Sequence, residues 1–296
     1  MIILIAIQRT TTLIRIWLFK SNFLSLLLLG FALLGNHNKV VAQKYFSGRN
    51  EFGIGFGVSN YYGDLSAGSR FEFNTAHFHP SAAIFQKYNF SSYFSLRNQL
   101  SFLEISGTSK GIAGLAYQNL NFKSKIYEYS PLIEFNLHPF GTNIRDGWAT
   151  PYVLTGLSFF RFDPTKIDNE DIRLRNLNTE GQKKSYSLLQ ASLPLGVGVK
   201  MMSPPQRGKG SVIVGLEVLW RKTFTDNLDD VNSSYGDYKS MKENQGLSSA
   251  ENGHAQVQEG NPVLPTGTMR GDTHLKDWYY FVGFSISYRF TPLICR

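Results

Sequence analysis

The sequence predicts an all-β fold, a transmembrane antiparallel β-barrel of about eight strands behind an N-terminal signal peptide. Three observations predict it. Beyond residue 42 the chain divides into about eight segments of 10–15 residues in which apolar residues alternate with polar or small ones, the period-two pattern of a β-strand. The connections between those segments alternate in length, running roughly 16, 4, 19, 13, 23, 10 and 53 residues. Spanning barrels keep long loops on one side and short turns on the other. Finally, no apolar run after residue 42 approaches the ~20 residues of a spanning helix, and without such helices only a closed barrel satisfies the backbone inside a membrane.

The N-terminal segment reads as a secretory signal. Arg9, Arg15 and Lys20 precede the apolar run Phe23–Leu34, and Val40-Val41-Ala42 offers small residues for cleavage after Ala42. The division is therefore 1–42 signal peptide and 43–296 barrel. An uncleaved anchor that also uses Ile2 to Ile7 is the rival reading, but Arg9 and Arg15 interrupt it. The formal charge of +8 does not indicate nucleic acid: four of those charges lie in the acid-free N-terminal segment, leaving +4. The remaining cations are scattered among acids without forming a basic stripe. The single cysteine, Cys295, excludes a disulfide framework.

The strands follow in order. In 51–61, Phe52, Ile54, Phe56 and Val58 alternate with Gly53, Gly55, Gly57 and Ser59. A weaker segment lies near 78–88. In 93–105, Phe94, Leu96, Leu100 and Phe102 oppose Ser95, Arg97, Gln99 and Ser101. In 125–137, Tyr127, Tyr129, Ile133, Phe135 and Leu137 oppose Glu128, Ser130, Glu134 and Asn136. Segment 151–162 has no clearly polar face. Leucines and valines from Leu189 to Val199 mark 186–200, and Val212 to Trp220 mark 211–223. The last strand, Asp277 to Phe290, is the clearest: Tyr280, Val282, Phe284, Ile286, Tyr288 and Phe290 share one face. Its aromatic ending resembles the assembly signal of outer-membrane barrels.

Alternation alone also fits a soluble sandwich, and the long–short rhythm of connections decides for the barrel. Charged residues sit mid-strand on the polar faces: Arg97, Glu128, Glu134, Glu217 and Arg221. Within a narrow barrel they form a lumen network, pairing where unpaired charges would cost several kcal/mol. Eight strands leave a lumen just wide enough for side chains to fill, so an open solute channel is not expected.

Other candidates are weaker. Gly53-x-Gly55-x-Gly57 lacks the spacing and strand-to-helix context of a dinucleotide fingerprint, so the glycines read as structural. Asp226, Asp229 and Asp230 could present oxygens to Ca²⁺, but an Asp/Asn-rich turn leaving the barrel rim is the favoured reading, since the spacing is not an EF-hand's. His77 and His79 share a strand face without an evident third ligand. His138 falls in a turn, and His254 and His274 fall in the long loop, 225–276. That loop is rich in Gly, Asn, Ser and Gln, a composition expected of a mobile segment or of one ordered by a partner. No catalytic constellation or cofactor motif is identifiable.

Four segments carry a family resemblance: Ser59–Leu65 (SNYYGDL), Thr179–Gln182 (TEGQ), Arg221–Val231 (RKTFTDNLDDV) and Asp277–Phe281 (DWYYF). With them the chain resembles the PorG-like outer-membrane barrels of Bacteroidota. The resemblance implies a place in the outer membrane of a Gram-negative bacterium, within the type IX secretion and gliding-motility machinery. The expected partners are outer-membrane lipid and periplasmic ring or lipoprotein subunits. It implies no catalytic residue. A small passive or adhesive OmpA/porin-like barrel without a secretion role is the alternative.

Overall fold

The computed structural model describes residues 49–66, 77–112, 114–141, 147–203, 210–272 and 276–290. The signal peptide with its cleavage point, His274 and Cys295 lie outside the described residues. Among the described residues there are eleven strands: β1 (Arg49–Tyr62), β2 (His79–Asn89), β3 (Phe94–Thr108), β4 (Asn121–Asn136), β5 (Ala149–Gly156), β6 (Ser158–Arg161), β7 (Pro164–Lys166), β8 (Asn169–Arg173), β9 (Leu189–Met202), β10 (Ser211–Thr223) and β11 (Trp278–Arg289). β5 and β6 occupy one wall position, each pairing with β4 on one side and β9 on the other. Pro131 of β4 faces the break between them; lacking an N–H, it cannot complete the ladder there, although it still accepts from the Leu157 amide at 3.3 Å.

The resulting eight wall positions close into a ring. Each pairs antiparallel with its neighbour in sequence, and β11 returns to β1 over the full register Glu51↔Arg289 to Tyr62↔Trp278. At this seam Gly57 lies opposite Gly283. A Cβ on Gly57 would stand 2.1 Å from the Val282 carbonyl oxygen, whereas one on Gly55 would meet nothing nearer than 3.7 Å. The glycines of the first strand are thus structural, and unequally so.

Alternation sorts the side chains. Phe52, Ile54 and Phe56 of β1 face outward, as do Leu193, Leu195, Val197 and Val199 of β9 and Phe284, Ile286 and Tyr288 of β11. Tyr280, expected on the same outer face, is buried at 3% exposure. Outward aromatics gather at the short-turn end, where Phe94 meets Phe135 at 4.9 Å, Tyr288 meets Phe290 at 5.0 Å and Phe52 meets Phe290 at 6.0 Å. Three polar side chains interrupt the outer face and satisfy one another. Gln86 donates to Asn50 (3.0 Å), Asn98 donates to Gln86 (3.1 Å), and the Tyr129 hydroxyl donates to Asn98 (3.0 Å).

The interior differs from the uniformly polar face expected from the sequence. Toward the long-loop end it is apolar, with Leu103, Ile105, Phe122, Ile126, Phe160 and Phe281 buried together with Leu65, Leu174, Leu228 and Val231 of the loops. This explains the ambiguity of 151–162: Phe159 faces outward while Phe160 enters the apolar plug. The long connection 224–277 also departs from expectation. It contains helices Tyr238–Asn244 and Leu247–Gly253 and a 3-10 turn over Ala255–Glu259. Its described part folds onto its own barrel, where its polar side chains find partners.

Candidate functional site: the filled lumen and its cap

The predicted lumen residues point inward and meet one another. Arg97 and Glu217 come from β3 and β10, opposite positions in the ring. Their guanidinium and carboxylate join in a bidentate pair at 2.7 and 2.9 Å, with the Tyr152 hydroxyl donating to the same carboxylate at 2.8 Å. The pair therefore spans the lumen from wall to wall. The Arg97 guanidinium also lies 4.2 Å from the Phe85 ring centroid. Arg221 of β10 grips Glu128 of β4 in the same manner, at 2.7 and 2.9 Å. Glu128 also accepts from the Tyr279 hydroxyl at 2.5 Å and from Ser130 at 2.8 Å.

Nearer the short turns, Glu134 lies between Lys87 (3.0 Å) and Lys200, on strands two positions away to either side. Lys87 continues to Glu51 at 3.3 Å, and Glu51 is held by Arg289 at 3.1 Å and Ser287 at 2.7 Å. Sequence reasoning missed Glu51, Lys87, Lys200 and Arg289, which lie close to strand ends. The inward parity of their positions was the available signal. Planar, bidentate arginine–carboxylate pairs are the strong form of ion pair. The cost of burying them is reduced by hydroxyls from Tyr152, Tyr279, Ser130 and Ser287, which donate further hydrogen bonds to the carboxylates.

Above the network and the apolar plug sits a polar cap. Glu180 accepts the amides of Asn232 (2.7 Å) and Ser233 (3.0 Å), the Ser233 hydroxyl (2.6 Å) and Arg270 (3.2 Å). Asp230 accepts from the hydroxyls of Tyr186, at 2.7 Å, and Thr179. Asp229 accepts from the Tyr61 hydroxyl at 2.6 Å; Asp277 accepts from that hydroxyl at 3.1 Å and from the Leu228 amide at 2.9 Å. Asp64 accepts the Asp272 amide at 3.1 Å. Gly63 lies so close beneath that a Cβ there would stand 2.2 Å from an Asp277 oxygen. All four segments that carry the family resemblance therefore meet in this cap, although they are distant in sequence.

The three aspartates considered for calcium do not converge. Asp226 pairs with Lys276 (3.4 Å), Asp229 with Tyr61, and Asp230 with Tyr186 and Thr179. No group of three His, Cys, Asp or Glu side chains able to hold a metal occurs among the described residues. The described histidines have other surroundings. His77 and His79 both reach Ser106, and His79 contacts Glu104 at 3.0 Å. His77 precedes β2 rather than sharing its face. His138 follows β4 in the turn to β5. His254 packs between Tyr235 and Tyr238 and contacts the Gly236 carbonyl at 3.0 Å.

The cap carboxylates titrate unusually. Burial pushes Asp64 up to about 6, helped by nearby Asp226 and Asp272, and pushes Asp230 up to about 6 against the opposing pull of Arg270. Burial raises Asp229 and Asp277 well above the ordinary carboxylate range, with Asp64 adding to the first and Asp229 to the second. A group whose pKa is raised on folding binds its proton more tightly in the folded state. Its stabilisation is therefore complete at pH values below the ordinary carboxylate range and is lost as pH rises through the folded pKa. The cap is thus expected to tighten as pH falls from 7.5 to 5. Hydrogen exchange of amides in 226–272, corrected for intrinsic rates, should show rising protection; falling protection would contradict this assignment.

A family model described as a domain of unknown function (DUF6089) matches residues 32–251. No curated protein matched. Among solved structures, the chain is similar to the attachment invasion locus protein Ail of Yersinia pestis, crystallised with the heparin analogue sucrose octasulfate. The identity is 11%, with 83% of this chain and all of that one covered and a TM-score of 0.37. Neisserial surface protein A is 9% identical over 83% of this chain and all of its own, with a TM-score of 0.38. The outer membrane protein OprG of Pseudomonas aeruginosa is 12% identical over 81% of this chain and 93% of its own, with a TM-score of 0.32.

Proposed function

The chain belongs to the DUF6089 family, and we propose that this member is a sealed, non-enzymatic barrel of the Gram-negative outer membrane that acts as a structural or assembly component. The observation that carries the reading is the wall-to-wall Arg97–Glu217 pair beneath an apolar plug and a folded cap. A barrel filled in this way offers surfaces rather than a path. The membrane assignment is supported by the continuous outward apolar face and by its aromatics at the short-turn end, where rings favour the water–lipid boundary. Long loops then face the exterior and short turns the periplasm.

The apparatus served is proposed to be type IX secretion or gliding, on the strength of the resemblance to PorG-like barrels. Periplasmic ring and lipoprotein subunits are the partners that this reading requires. Deletion of the gene should impair export of type IX cargo, and gentle detergent extraction should co-purify those subunits. Undiminished export from the deletion strain would remove the secretion role. It would favour the second reading, a passive or adhesive barrel, for which the folded cap is the relevant feature: it presents a fixed surface rather than a mobile one.

A further inference from the structure

We propose that the outer rim formed by β4, β6 and the β7–β8 hairpin binds the phosphorylated headgroup of a glycolipid in the leaflet on the long-loop side. The inference rests on the outer-membrane reading above and adds a ligand class and a binding surface to it.

Outward side chains of β4 run Lys123, Lys125, Tyr127, Tyr129 from the loop end inward. Tyr127 and Tyr129 are 59% and 43% exposed and belong to the apolar outer face. The two lysines therefore stand one and two outward-facing positions above it, about 7 Å per position at ~3.4 Å rise per residue. Arg161, the register partner of Tyr127 on β6, also faces outward. Arg173 of β8 completes the set. Together they line a groove of about 330 Å³ that also takes in Asp163 and Glu170. Four cations face these two carboxylates and Glu104, which contacts Lys123, leaving the cluster at +1.

The internal pairing engages three of the cations and leaves Arg161 over. Glu170 is shared by Lys123 (3.0 Å) and Lys125 (3.3 Å), with Glu104 also reaching Lys123 at 3.2 Å. Arg173 reaches Asp163 at 3.5 Å. Lys125 and Glu170 are about half-exposed and Arg173 more so. Arg161 is exposed and has no ion-pair partner among the described residues. An ammonium has three donors and a guanidinium presents a planar fork, so both can accept a phosphate beyond an existing contact. The groove is also continuous with the lipid-facing surface, which makes a headgroup the neighbouring anion. On β10, three ring positions from β4, the exposed outward cation at this level is Lys222, which lies 5.7 Å from the Trp278 ring centroid.

The test uses refolded protein in neutral phosphatidylcholine vesicles and nanodiscs, with bis-phosphorylated lipid A, its dephosphorylated form and inorganic phosphate as probes. Native mass spectrometry reads bound glycolipid, and heat-modifiable gel migration shows that each variant has folded. Lipid A should bind at least about tenfold tighter than the dephosphorylated form, and added salt should weaken that preference. Lys125→Ala/Arg161→Ala should abolish the preference, whereas Lys222→Ala should retain it. Equal binding by wild type and double variant, or no preference for phosphate, would overturn the proposal. Full displacement of lipid A by millimolar inorganic phosphate would overturn the assignment to a lipid. A wild-type protein that fails to float with vesicles would instead overturn the membrane reading itself.

Discussion

Arg97→Ala is expected to destabilise the folded barrel by about 3–5 kcal/mol, because it leaves the Glu217 carboxylate buried without its partner. Glu217 is 4% exposed and, among the described residues, keeps the Tyr152 hydroxyl as a donor once Arg97 is gone. The decisive comparison is with Arg97→Met/Glu217→Leu, which removes both charges together. Replacing a buried pair with apolar groups of similar volume is often neutral or stabilising, so the double variant should recover most of the loss. Urea unfolding from phospholipid vesicles, followed by tryptophan fluorescence, checks both. A double variant as unstable as the single one would show that the pair contributes more than mutual neutralisation.

The second large effect is expected at the seam that closes the barrel. Gly57→Ala places a methyl group 2.1 Å from the Val282 carbonyl oxygen and 2.6 Å from the Gly283 Cα. Both are backbone atoms of the paired strand, so no side-chain rotation relieves the clash. The cost should be about 3 kcal/mol or more, or failure to close β11 onto β1. Gly55→Ala, two residues away on the same inward face, should change stability by no more than about 1 kcal/mol, since its new methyl would meet ordinary contacts at 3.7 Å. Equal behaviour of the two variants in the same assay would contradict the geometry at the seam.

Much of this architecture was legible in the sequence, and for definite reasons. Strand parity is a local property, so Phe52, Ile54, Leu193 and Phe284 announced the outer face as soon as the period of two was read. The connection rhythm was equally local, because turn and loop lengths are visible without knowing what they pack against. The inward placement of Arg97, Glu128, Glu134, Glu217 and Arg221 followed from the same parity. Which of them meet did not follow, because the Arg97–Glu217 partnership depends on ring closure placing β3 opposite β10.

The long-loop end was the least legible part. The polar composition of 225–276 suggested mobility, since apolar content is what orders a loop in composition-based reasoning. Order arises instead from specific polar contacts: Glu180 with Asn232, Ser233 and Arg270, and Asp230 with Thr179 and Tyr186. Composition cannot register such contacts. The few apolar residues that matter, Leu228 and Val231, are isolated in sequence and become part of a core only beside Phe122, Phe160 and Phe281 of the walls. The aspartates 226, 229 and 230 likewise looked like a group because they are adjacent in sequence, while the fold gives each a different partner.

The central claim is that the lumen is sealed, and conductance across planar bilayers tests it most directly. Refolded protein shown by heat-modifiable migration to be inserted should produce no steady current at neutral pH, and none at pH 5, where the cap is tighter. Persistent, voltage-independent current steps whose number rises with inserted protein would contradict the account, because they require a continuous water path past Arg97–Glu217 and the plug above it.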